Sequence, residues 1–174
     1  MNCATIGEIE KLASENEYDF LLFMMMQYTR TKAMKNRVVA SFTEREHLKK
    51  IADKSWPFFN IVLALQVFES MVIKKDYRFV FVNNKGSIPF ITGDQPIINV
   101  KGNITDEQGY AKELEFYYPI SLKSAIVIAF TQGEKYSEID VTDDYVNEKN
   151  ELIKSESDLH LFASEKDVLS KLLI

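Results

Sequence analysis

The chain has 174 residues, enough to bury a core and short enough that one domain spanning 1–174 is the default. Apolar residues at 46% and charged residues at 27% exclude a disordered or fibrous polymer, and a formal charge of -5 argues against coating nucleic acid or anionic membrane through the overall field. Cys3 is the single cysteine, which excludes an internal disulfide and a cysteine-based zinc cage.

Thr5 followed by Glu8 forms a capping-box pattern, so a short first helix is predicted to run to about Ser14. Asn16 is the next cap, with Glu17 and Asp19 complementing the helix dipole, and a long second helix is predicted to about Val39. Its first half, residues 18–28, is apolar nearly all round, which marks it as central. Thr43 and Glu46 make a second capping box before Leu48, Ile51 and Ala52, which share a helical face. Ser55 before Trp56-Pro57 reads as a fresh start, because proline fits a helix's first turn, and a fourth helix runs to about Lys74. One long helix kinked at Pro57 is the alternative.

Two apolar stretches resemble membrane spans. Residues 20–26 are too few to cross hydrocarbon, and residues 58–73 are broken by Asn60, Gln66 and Glu69. Both are read as core helices, and no membrane partner is expected. The opening residues, with Glu8, Glu10 and Lys11, form no charged-then-apolar leader, so with one cysteine the expected location is the cytoplasm.

After Asp76, β-branched and aromatic runs cut by turn residues take over, which is the strand signature. Residues 78–82 form the first predicted strand, and Asn83-Asn84-Lys85-Gly86 reads as a hairpin turn. Strands at 88–92 and 97–100 flank Gly93-Asp94-Gln95-Pro96, and residues 101–112 form a polar loop. Residues 114–120 and 125–131 follow, the second nearly continuous in apolar residues and therefore central. Gln132-Gly133-Glu134 turns the chain into an edge strand at 136–141. Thr142, with Asp143 and Asp144 behind it, opens a helix to about Ser155; residues 159–163 are a last strand, and Ser164 with Asp167 opens a closing helix over 165–174. The pattern is helical over 4–75 and sheet-rich over 77–163. This predicts an α+β fold with the N-terminal helices packed on a mostly antiparallel C-terminal sheet and two late helices.

Four segments then stand out together: Gln27-Tyr28-Thr29-Arg30-Thr31, Phe90-Ile91-Thr92-Gly93-Asp94-Gln95-Pro96-Ile97, Tyr118-Pro119-Ile120-Ser121, and Asn150 before Leu161-Phe162-Ala163. In order and spacing they resemble a bacterial domain-of-unknown-function family, number 4238. That family shows a Gln-x-x-Arg-Thr/Ser helix, a Thr-Ser-Asp-Asn-Pro strand exit, a Pro-Leu-Ser-Pro strand and a late asparagine helix. Here Gly93 stands in place of the serine, Gln95 of the asparagine and Leu122 of the second proline. The family's paired-histidine opening is missing, so the chain is expected to be a fragment or a natural short form. The resemblance supplies relatives but no activity.

Gln27 and Arg30 lie three apart on an otherwise apolar helix and so share a face, and a buried guanidinium needs a partner. Asp94, at a strand exit, is the expected one, since a carboxylate can take two N–H bonds from arginine. A structural ion pair, or an Asx turn shaping the loop, is the commoner outcome for such residues. Asn150 and Ser121 could complete a polar pocket, with Arg37 near the Arg30 face. The commoner role for both is satisfying backbone groups.

His47 and His160 lack a second ligand at metal-binding spacing, and Asp143, Asp144 and Glu148 suit a helix dipole better than a cation. No metal and no cofactor are expected: the six glycines form no phosphate cradle. No serine carries a nucleophile elbow, and no catalytic residue can be named.

The leading expectation is a binding or regulatory domain whose cluster of Gln27, Arg30, Arg37, Asp94, Ser121 and Asn150 holds a small polar or anionic ligand, or the missing N-terminal segment. An opened helix face could also be covered by a second copy, giving a homo-oligomer. The alternatives are a hydrolase or phosphodiester-cleaving enzyme using Asp94 with Arg30, and a nucleic-acid contact through the basic residues of 30–50. The last is the weaker, because such a run is more often a solvated helix face.

Overall fold

The computed structural model describes residues 6–42, 45–74, 77–102, 113–164 and 166–172. Thr5 and Thr43, two expected caps, lie outside them, as do residues 103–112 of the expected loop and the Asp167 side chain. The chain opens with α1 (Ile6–Glu15), α2 (Glu17–Thr29), α3 (Lys32–Ser41), α4 (Glu46–Lys54) and α5 (Trp56–Lys74). The strands β1 (Arg78–Asn84), β2 (Thr92–Gly93), β3 (Ile98–Asn99), β4 (Glu115–Pro119), β5 (Ser124–Ala129) and β6 (Tyr136–Val141) follow. Helix α6 (Asp143–Glu156), β7 (Leu161–Phe162) and α7 (Lys166–Leu172) complete the described chain. The fold is α+β: helices first, sheet after.

Five strands form the main sheet in the order β3-β4-β5-β1-β6. Every neighbouring pair is antiparallel except β1 and β6, which are parallel. As expected from its sequence, β5 is central and buried at every position, and β6 is an edge strand. The two-residue period sends alternate side chains to opposite faces. Phe79, Phe81, Phe116, Ile126 and Ile128 face one way and pack with Leu21, Met24 and Met25 of α2 and with Ala64 and Met71 of α5. Val80, Val82, Tyr117, Ala125 and Val127 face the other way, against Val146 and Ile153 of α6 and against Phe90 and Ile91. The sheet is thus the middle layer between the front helices and α6.

Four expectations are corrected. The long second helix is two helices, because Thr31 turns extended (φ -77, ψ 159) and its hydroxyl oxygen accepts from Met34 N at 3.2 Å, capping α3. Asn16 and Thr142 precede α2 and α6 but make no side-chain cap hydrogen bond. The segment at 83–86 is not a hairpin, since β1 is flanked by β5 and β6, and Asn84 instead turns the chain locally by accepting from Gly86 N at 2.8 Å. Gly86 itself is required for space: a Cβ there would fall 2.0 Å from Asp143 Oδ1.

The fourth correction concerns α5. Pro57 lies in the first turn of α5, which a single residue, Ser55, separates from α4; Ser55 N donates to Ile51 O while Ser55 O accepts from Phe58 N and Phe59 N. Yet α5 is no core helix. Among the described residues it is the one helix long and apolar enough to cross a membrane, and only 17% of its residues 56–73 are buried. Only the side carrying Ala64 and Met71 is covered. The residues at 58, 61, 62, 65 and 73 point away from the core.

Candidate functional site

Gly93-Asp94-Gln95 is a junction at which polar contacts from α2, α3 and the α6–β7 loop meet. The expected ion pair between Arg30 and Asp94 is not formed. Arg30 falls just past the end of α2, exposed, where its charge is felt by the Tyr118 phenol, and among the described residues no carboxylate pairs with it. Asp94 turns the other way. Its Oδ1 accepts from Asp158 N at 2.9 Å, and its Oδ2 accepts from Leu159 N at 2.8 Å and His160 N at 3.1 Å. Three amide donors thus satisfy the carboxylate that an arginine was expected to satisfy. Gly93 permits this approach, because a Cβ there would lie 2.0 Å from Ser157 Oγ.

Gln95, noted in the sequence only as a departure from an asparagine, is buried and fastens the same junction to the helices. Its Nε2 donates to Tyr28 O at 3.2 Å and Ile97 O at 2.6 Å, while its Oε1 accepts from the Thr31 hydroxyl. Arg37 is not beside Arg30: it pairs with Glu156, and Lys32 pairs with Asp158 at 2.8 Å. Asn36 Nδ2 also donates to Asp158 Oδ1 at 3.3 Å. Helix α3 is therefore roped to the α6–β7 loop, that loop to Asp94, and Gln95 back to the break before α3. Gln27 is half-buried on α2, apart from this ring of contacts.

Asn150 is fully buried on α6, where its Oδ1 accepts from Ile91 N at 3.0 Å and its Nδ2 donates to Pro89 O at 3.0 Å. Ser121 lies in the β4–β5 turn, its hydroxyl oxygen accepting from Lys123 N at 3.2 Å. The two residues do not touch through hydrogen bonds, but both shape one cleft. Among the described residues, 90–92, 119–122 and 162–164 line a cleft of about 300 Å³ that is mainly apolar, with Thr92, Ser121 and Ser164 as its hydroxyl residues and no charged side chain. Asn150 holds the first wall and Asp94 anchors the loop that leads into the third. Three segments distant in sequence thus meet at one opening; of the expected polar residues Ser121 lines it, and Asn150 and Asp94 stand behind its walls.

Partial burial alone would raise the Asp94 pKa, but the amides of Leu159, Asp158 and His160 outweigh it and hold the carboxyl below its ordinary value. A depressed folded value contributes stability fully present above the unfolded pKa, about 3.9, and lost as pH falls through the folded value. Asp94→Asn is therefore expected to cost about 1–2 kcal/mol near neutrality, a figure discounted for partial exposure, and less below about pH 3. Urea unfolding across that range checks it, and an equal loss at both ends would refute the linkage.

A second polar cluster, missed in the sequence, sits where α2 begins against the sheet. Glu17 accepts from the Tyr77 hydroxyl, from Tyr136 Oη at 2.9 Å and from Lys135 Nζ at 2.9 Å, and Lys135 Nζ lies 3.5 Å above the Tyr77 ring. Burial and the neighbouring Glu17 carboxylate push the Tyr136 phenol up to about 12. No local spacing signals this group, since its members come from positions 17, 77, 135 and 136. It ties α2 to the edge of the sheet.

Two expected chemistries find little footing. With both oxygens receiving amide protons, Asp94 is held ionised and turned into the fold, which is poor placement for a general base. Of the basic residues in 30–50, Lys32, Lys35, Arg37 and Lys49 each face a carboxylate. Among the described residues no cluster of histidine, cysteine and carboxylate suited to a metal ion occurs.

The model of a family described as a protein of unknown function (DUF4238) matches residues 5–167. No curated protein and no solved structure is detectably similar to the chain.

Proposed function

The chain belongs to the DUF4238 family, and from that premise we propose that it is a small-molecule-binding domain whose ligand enters the cleft between residues 90–92, 119–122 and 162–164. One observation carries this: the segments that stand out in the sequence at 90–97, 118–121 and 161–163 all contribute to the lining of that cleft. Its chemistry shifts the expected ligand. With a mainly apolar lining and no charge among its described residues, the cleft suits a compact body that is mostly apolar and carries one or two hydrogen-bonding groups for Thr92, Ser121 or Ser164. A small polar or anionic ligand held by Arg30 and Arg37 fits less well, because Arg37 is paired with Glu156 and Arg30 lies outside the lining.

Ligand-observed NMR with small aromatic and aliphatic alcohols and amides tests the reading. Compounds of about a dozen heavy atoms are expected to bind with Kd on the order of 1 mM. Ala163→Trp, which fills the cleft from its third wall, is expected to abolish their binding while leaving the circular dichroism unchanged. Compounds that bind the variant as well as the parent, or no binding by either, would refute the proposal.

A further inference from the structure

Helix α5 is apolar on both sides. Between 56 and 73 its one charged residue is Glu69, and while Ala64 and Met71 are fully buried, Phe58 is 75%, Val62 53%, Leu65 46% and Ile73 71% exposed. Ile61 and Phe59 join them, at 42% and 38%. Positions 58, 61, 62, 65, 69 and 73 recur at helical spacing, so they form one stripe. A helix that is apolar all round is normally covered all round.

The uncovered area can be weighed. At roughly 150–250 Å² for a fully exposed aromatic side chain and less for an aliphatic one, the six exposed apolar residues leave about 400–700 Å² open. That reaches or exceeds the largest apolar patch of a typical monomer, roughly 300–600 Å². It also approaches the share each partner gives to a specific interface, roughly 800 Å². A surface that meets its own copy across a two-fold axis needs no other complementary partner.

We infer that α5 is a dimer interface, packed antiparallel against α5 of a second copy about an axis near Leu65 and Gln66. Charge chooses the direction. A parallel crossing would set the two Glu69 carboxylates against each other, whereas an antiparallel one places them about 10 Å apart along the axis, at 1.5 Å per residue. It also brings Phe58 of each copy to the Ile73 end of the other. A lipid surface is the weaker fit, because helices that lie in membrane interfaces line their polar side with lysine and arginine, whereas α5 carries a single lysine, Lys74, at its last position.

The 174-residue chain is expected to sediment as a dimer at micromolar concentration. Leu65→Arg should halve the mass, with far-UV circular dichroism unchanged because the side chain is already half exposed in the protomer. Gln66→Cys in a Cys3→Ser background should cross-link across the axis on oxidation. A chain that stays monomeric at about 0.1 mM overturns the inference, as does a dimer indifferent to Leu65→Arg. Co-sedimentation of a monomeric parent with anionic phosphatidylserine vesicles, lost in Leu65→Arg, would overturn it in favour of lipid.

Discussion

Replacing Gln95 with alanine is expected to lower the free energy of unfolding by about 3 kcal/mol. The side chain is 2% exposed and spends both its donors and one of its two acceptor lone pairs inside the fold, donating to Tyr28 O and Ile97 O and accepting from the Thr31 hydroxyl. Removing it strands two carbonyls and a hydroxyl where water enters poorly, and each stranded group costs on the order of 1–3 kcal/mol unless the site relaxes. Urea unfolding near neutral pH measures the loss. Because Thr31 also caps α3, Thr31→Val and Gln95→Ala should couple by at least about 0.5 kcal/mol in a double-mutant cycle. A single-variant loss below about 1 kcal/mol, or additive behaviour in the cycle, would show that the α2–α3 break does not depend on Gln95.

This dependence explains what the sequence could and could not disclose. Strand alternation is local, so β1, β4 and β5, the central place of β5 and the edge place of β6 were all legible. The break at Arg30 was not. No glycine or proline marks it, and the residue that engages Thr31 lies 64 positions away. The same distance misled the pairing of Arg30 with Asp94: the arginine was placed on a continuous helix, but α2 ends at Thr29, and the donors Asp94 receives are backbone amides. Backbone donors carry no signature in composition. The standing of α5 was hidden for another reason: a helix apolar on both sides reads as core whether or not both sides are covered. The cleft was legible in its parts, as conspicuous segments, but their meeting depends on β2 pairing with β7, on Phe90 N donating to Leu122 O and on α6 tethering residues 89–91.

That tether gives the sharpest pH-dependent expectation. Asn150→Asp is expected to cost about 4 kcal/mol near pH 7 and no more than about 1 kcal/mol near pH 4, each measured against the parent chain at the same pH. Asn150 is 1% exposed, accepting from Ile91 N and donating to Pro89 O. A protonated aspartic acid reproduces both bonds, one oxygen accepting and the hydroxyl donating. An ionised one turns a second oxygen on the Pro89 carbonyl at a position that is 1% exposed, so the folded pKa is expected to rise far above its unfolded value of about 3.9. A raised folded pKa leaves stability intact below the unfolded value and removes it as pH climbs toward the folded one. Keeping the proton to pH 7 costs about 1.4 kcal/mol for each of roughly three pH units. Asn150→Ala, which has nothing to titrate, should instead lose a nearly constant amount, about 2–3 kcal/mol, over the same range. If the aspartate variant shows a flat difference from its parent, the carboxylate has found water or a cation there, and the wall of the cleft at residues 89–91 is open from behind.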